Sequence, residues 1–136
     1  MLYFIKKYPI SLAIIAIVIY LSFLKPSFDY EIGKIPHIDK VAHMGMYFVM
    51  SGMLWIEFLR SHRNNRMPMR KAWIGALICP ILFSGVVEIL QGCLTKYRGG
   101  DWLDFAANVT GALLATLLVR YVIAPRYFKS QTPHSI

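Results

Sequence analysis

Residues 72–94 read AWIGALICPILFSGVVEILQGCL, a run of 23 residues in which Glu88 is the one charged side chain. A helix rises about 1.5 Å per residue, so the run reaches roughly 34 Å, enough to cross a hydrocarbon core about 30 Å thick. A carboxylate inside such a segment requires a partner or water. The stretch therefore predicts a helical membrane protein in which other segments supply partners to Glu88.

The rest of the chain agrees. Of its 136 residues 57% are hydrophobic and 16% charged, and the mean hydropathy is +0.49, well above an ordinary soluble domain. Three more apolar segments follow the same pattern. Tyr8 to Leu24 carries no charge, Val41 to Phe58 holds His43 and Glu57, and Trp102 to Ile123 holds Asp104 and Arg120. The expected fold is all-α, a polytopic four-helix transmembrane bundle forming one domain over 1–136, with helices at about 8–24, 41–58, 72–94 and 102–123. Residues 125–136 are expected to be a loose cytoplasmic tail. Lys6 and Lys7 before the first segment raise the alternative of a signal peptide. Its length, and the lack of a small-x-small site before Lys25, favour an uncleaved helix.

The formal charge of +8 arises from basic residues in the gaps between apolar runs, not from a face or stripe, which excludes a nucleic-acid partner. Lys6, Lys7, Arg60, Arg63, Arg66, Arg70, Lys71, Arg120, Arg126 and Lys129 fall on one side of the expected bundle. Lys25, Lys34, Lys40, Lys96 and Arg98 fall on the other, among Asp29, Glu31, Asp39 and Asp101. The excess of Lys and Arg in cytoplasmic loops places both termini in the cytoplasm and the polar clusters outside.

Those clusters are regular. Asp39, His43 and Tyr47 follow at intervals of four, so they share one face of a helix opening near Pro36, with Lys40 beside them. Glu88 and Gln91 are three apart; Asp101, Asp104 and Asn108 follow at three and four, with Arg98 in the preceding loop. Three helices thus bring polar groups to one level.

The pattern Asp39-Lys40-x-x-His43-x-x-x-Tyr47, then Glu88-x-x-Gln91, then Arg98-x-x-Asp101-x-x-Asp104-x-x-x-Asn108-x-x-Gly111 resembles the VanZ-like membrane proteins over Asp39 to Leu118. The resemblance implies a multi-pass protein of the bacterial cytoplasmic membrane, and a link to low-level resistance to the glycopeptide teicoplanin. It implies no particular reaction.

The residues suggest acid–base chemistry at the outer leaflet. His43, Glu88 and Asp104 are the expected catalytic groups, with Asp39 orienting the His43 imidazole. Asp39, Lys40, Tyr47, Gln91, Arg98, Asp101 and Asn108 are expected to bind substrate. Lys40 and Arg98 suit a phosphate or carboxylate at headgroup level, hence a lipid-linked or anionic envelope molecule. Two other readings stand beside this one: a proton-coupled transporter or conduit, which needs assembly of several protomers, and a scaffold whose polar groups only join helices, Gln91 and Asn108 above all. No cofactor is expected, since no nucleotide or phosphate-cradling motif is present. No metal is expected either. Met44, Met46, Met50 and Met53 are spread around their helix, and His43 has neither a HExxH-like companion nor cysteine ligands.

Remaining features read as structural. Glu57 and Arg60 suit an interfacial ion pair. Gly45 with Gly52, and Gly111 with Ala107 and Ala115, suit close helix approach. Pro80 is expected to kink its helix. Cys79 and Cys93 lie fourteen helical residues apart, roughly 21 Å, too far for a disulfide, and are expected to be buried apolar thiols.

Overall fold

The computed structural model describes residues 2–23, 35–65, 68–94 and 101–129. All regular structure among them is helical. A short α1, Leu2–Lys7, leads into α2, Pro9–Phe23. Helix α3 spans Ile38–Asn65. Helix α4 is continuous from Met69 to Leu94 and contains a π turn at Ile74–Ile78. Helix α5 begins at Trp102, carries a π turn at Val119–Ile123 and ends at Lys129.

Two helices are long and apolar enough to cross a membrane, Met69–Leu94 and Trp102–Arg126. Only 33% of each apolar window is buried within the protein. Leu82, Ile89, Leu94 and Leu103 are each at least 60% exposed, so these are not the core helices of a soluble domain, whose apolar sides turn inward. Helix α2 is apolar but shorter, at 15 residues.

Helices α3 and α5 make the most extensive contact, and Gly111 is where they meet. A Cβ built on Gly111 would collide with the main-chain carbonyl of Met44. Further along the seam Trp55 Nε1 donates to Thr116 Oγ1 at 2.9 Å, and Trp55 meets Trp73 edge to face at 5.3 Å. Trp55, Leu59, Ala72, Ala76, Val119 and Ala124 form one buried cluster; Val18, Tyr47 and Met50 form another that docks α2. Between apolar helices in lipid the gain is van der Waals packing more than water release, so such close approach is the main contribution to association.

Pro80 acts through a hydrogen bond. It has no N–H to give Ala76, its partner four residues back. The π turn widens the helix just before it, and the Ser51 hydroxyl of α3 donates to the Ala76 carbonyl at 2.5 Å. A second π turn likewise precedes Pro125.

Three expectations are corrected, the first being a close helix approach at Gly45, where nothing lies within 4 Å of a built Cβ. Glu57 does not pair with Arg60: it is buried, accepts a short hydrogen bond from Ser11 Oγ and takes the Ile10 N–H at 3.3 Å. An anion at the first turn of α2 satisfies an amide that has no partner within the helix, while Arg60 remains exposed. Cys79 and Cys93 are exposed, not buried. They lie on the outward side of α4, where an apolar thiol suits hydrocarbon.

Candidate functional site

The polar residues gather where α3 begins, α4 ends and α5 begins. Helix α3 turns one stripe inward at intervals of four: His43, Tyr47, Ser51 and Trp55 are each no more than 2% exposed. Helix α4 contributes Ser84 and Glu88, and α5 contributes Asp104 and Asn108, all buried.

Asp101 starts α5 as its N-cap, accepting the Leu103 N–H at 2.9 Å. Its own N–H donates to Glu88 Oε2 at 3.3 Å, tying the end of α4 to the beginning of α5. The Lys40 ammonium lies 3.2 Å from both Asp101 Oδ2 and Asp104 Oδ1 and joins α3 to the same cap. The Leu103 amide first, and the Lys40 ammonium second, hold the Asp101 carboxyl below the usual aspartate range.

Asn108 is the junction beneath. Its Nδ2 donates to Ser84 Oγ at 2.9 Å and to Glu88 Oε1 at 3.4 Å. Because a carboxylate only accepts, this orients the amide and turns Oδ1 to His43 Nδ1, 3.2 Å away. With Oδ1 as the acceptor, Nδ1 is the donor of this hydrogen bond. His43 Nε2 faces two carboxylates, Asp39 Oδ1 and Asp104 Oδ2, each at 3.9 Å.

Of the residues singled out in the sequence, Asp39, Lys40, His43, Glu88, Asp101, Asp104 and Asn108 are brought together. Tyr47 lies one turn beneath His43; its buried hydroxyl has no hydrogen-bond partner, Ser84 beside it not completing one. Gln91 turns instead to α2, donating to the Ser22 carbonyl at 2.6 Å. Arg98 lies outside the described residues. Ser84 went unnoticed, although its place four residues before Glu88 puts it on the same helical face.

Beside the network, between α4 and α5, lies a cavity of about 430 Å³. Gly85, Ile89, Gly92 and Phe105 give it an apolar wall, and Glu88 and Asp101 its polar end.

Long outward-apolar helices carrying a buried carboxylate–imidazole–amide network define a helical membrane protein with a polar centre where α3, α4 and α5 meet. A family profile described as VanZ/LLP1 matches residues 2–124. The chain belongs to that family, and the match extends the resemblance seen from Asp39 to Leu118 back through α1 and α2. No curated protein and no solved structure is recognisably similar to the chain.

Proposed function

We propose that this VanZ/LLP1-family protein spans the bacterial cytoplasmic membrane four times with both termini inside, and binds or modifies an amphiphilic envelope molecule at the outer leaflet. The observation carrying this reading is the cavity between α4 and α5. Its apolar wall continues the lipid-facing surface of both helices, and its polar end is formed by Glu88 and Asp101, which belong to the buried network. A molecule with an acyl or polyprenyl chain and a polar head matches both parts. Gly85 and Gly92, seven residues apart on one face of α4, leave the room. The catalytic part of the proposal assigns proton transfer to His43, Glu88 and Asp104, and headgroup positioning to Asp39, Lys40 and Asp101. Any effect on glycopeptide tolerance follows from what the site does to such an envelope molecule.

A photoactivatable polyprenyl phosphate or phospholipid in nanodiscs tests the reading. Label is expected on the α4 and α5 segments around Gly85 to Phe105, and Gly92→Leu is expected to displace it. Labelling spread evenly over all outward helix faces sinks the proposal.

The scaffold reading has its own support, since Asn108, Ser84 and Glu88 are mutually satisfied without any ligand. Glu88→Gln separates the two: under the site reading the variant stays folded and loses the labelled lipid or its turnover, whereas a scaffold loses stability.

A further inference from the structure

Three acceptor atoms on two helices point at one place in this network. Asp39 Oδ1, His43 Nε2 and an Asp104 carboxylate oxygen all lie within 4.8 Å of one another. The histidine is the decisive member. Its side chain is 3% exposed, and its Nδ1 is committed to Asn108 Oδ1, whose orientation is fixed by Glu88 and Ser84. In the neutral ring Nε2 is then a lone pair on a buried side chain, directed at two carboxylates that lie 3.9 Å away, beyond hydrogen-bond reach. Three electron-pair donors converging this way repel one another unless a cation sits between them.

Lys40 does not fill that role. Its ammonium lies 3.2 Å from Asp104 Oδ1, while the oxygen turned toward His43 is Oδ2. The Lys40 ammonium and a cation beside His43 would therefore meet Asp104 through different oxygens.

We propose that Asp39, His43 and Asp104 bind a divalent cation of the zinc type. One neutral imidazole and two carboxylates are a donor set suited to zinc and its first-row neighbours more than to magnesium. Bonds of about 2.1 Å hold tetrahedral ligands about 3.4 Å apart, so the observed 3.9 Å separations close by about half an ångström on binding. The side chain of Asp39 is 53% exposed at the first turn of α3, so its share of that movement takes place at the protein surface. The Nδ1–H bond to Asn108 orients the ring from behind, as outer partners of metal-ligating histidines do. With three protein ligands a further coordination position is left on the open, Asp39 side, where a water or an anionic oxygen binds. The lipid-binding part of the proposed function is untouched by this site, but a cation held on Nε2 takes His43 and Asp104 out of the proton-transfer role given to them there.

The test uses the full chain in detergent micelles, stripped with chelator and titrated with zinc chloride against a chromophoric competitor, with cobalt(II) as a spectroscopic stand-in. One zinc per chain is expected, and cobalt gives visible d–d bands. His43→Gln abolishes both, Asp39→Asn weakens zinc by more than about tenfold, and excess magnesium does not displace it. Circular dichroism reports whether each variant is folded. Should His43→Gln not fold, Asp39→Asn, altered at an exposed carboxylate, decides the matter. No stoichiometric binding, or binding by folded Asp39→Asn equal to that of the unaltered chain, overturns the proposal.

Discussion

Gly111 lies against the main-chain carbonyl of Met44 with no room for a methyl group between them. The obstacle is backbone, so relief requires α3 and α5 to separate. Gly111→Ala is therefore expected to destabilise the protein by about 1–3 kcal/mol, the usual range for overpacking. Gly45 is the control: nothing lies within 4 Å of a Cβ built there, and alanine favours a helix by about 1 kcal/mol over glycine. Thermal unfolding in micelles should lower the midpoint for Gly111→Ala and hold or raise it for Gly45→Ala. Equal midpoints would show that the seam is not the tight contact described.

Ser51 and Pro80 form a second dependent pair. Since Pro80 has no N–H for Ala76, removal of the Ser51 hydroxyl leaves a buried carbonyl without its donor, at a loss of about 1–3 kcal/mol. In a Pro80→Ala background residue 80 regains its N–H, so Ser51→Ala should become nearly harmless there. A double-mutant cycle measures this as a coupling energy. Strict additivity of the two changes would refute the link.

How far these features were legible in the sequence depends on their range. The stripe Asp39–His43–Tyr47 and the triplet Asp101–Asp104–Asn108 follow from helical spacing alone, and they do meet. Gly111 at a close approach was readable for the same reason. What spacing cannot show is which helix receives a side chain. Glu57 had Arg60 one turn away and is bonded instead to α2, some 46 residues distant in sequence. Gln91 shares a face with Glu88, yet reaches Ser22. The donor for Ala76 came from a serine on another helix, although Pro80 was seen. Cys79 and Cys93 show the same limit, since an apolar residue suits an outward position in lipid as well as an interior one.

Asp101 sets an acid limit on stability. Its carboxyl is held below the usual range by the Leu103 amide and then by Lys40. For a folded-state pKa below the unfolded one, the contribution is fully present above the unfolded value, about 3.9. It is lost as pH falls through the folded value. The protein should therefore lose midpoint as pH drops below about 4. Asn at this position still accepts the Leu103 N–H but no longer carries the charge that attracts Lys40. Asp101→Asn should be slightly less stable at neutral pH and show a shallower decline on acidification. Parallel acid limbs for the two proteins would assign the loss to other carboxylates.

Asn108 tests whether the centre of the network holds the helices together. Its side chain serves His43, Ser84 and Glu88 at once, so leucine, of similar size, deprives three buried groups on two other helices. Hydrogen bonds between membrane helices average about 0.6 kcal/mol each, which gives about 2 kcal/mol for the set. Thr116→Val, at the far end of the seam, removes the one acceptor of Trp55 Nε1 and should weaken the protein by about a third as much. Guided by those magnitudes, Asn108→Leu should lower the unfolding midpoint clearly further than Thr116→Val. It should also free the His43 ring, which NMR of 15N-labelled histidine detects as loss of the fixed Nδ1–H tautomer. An unchanged tautomer together with an unchanged midpoint would mean that Asn108 neither joins the helices nor orients the imidazole.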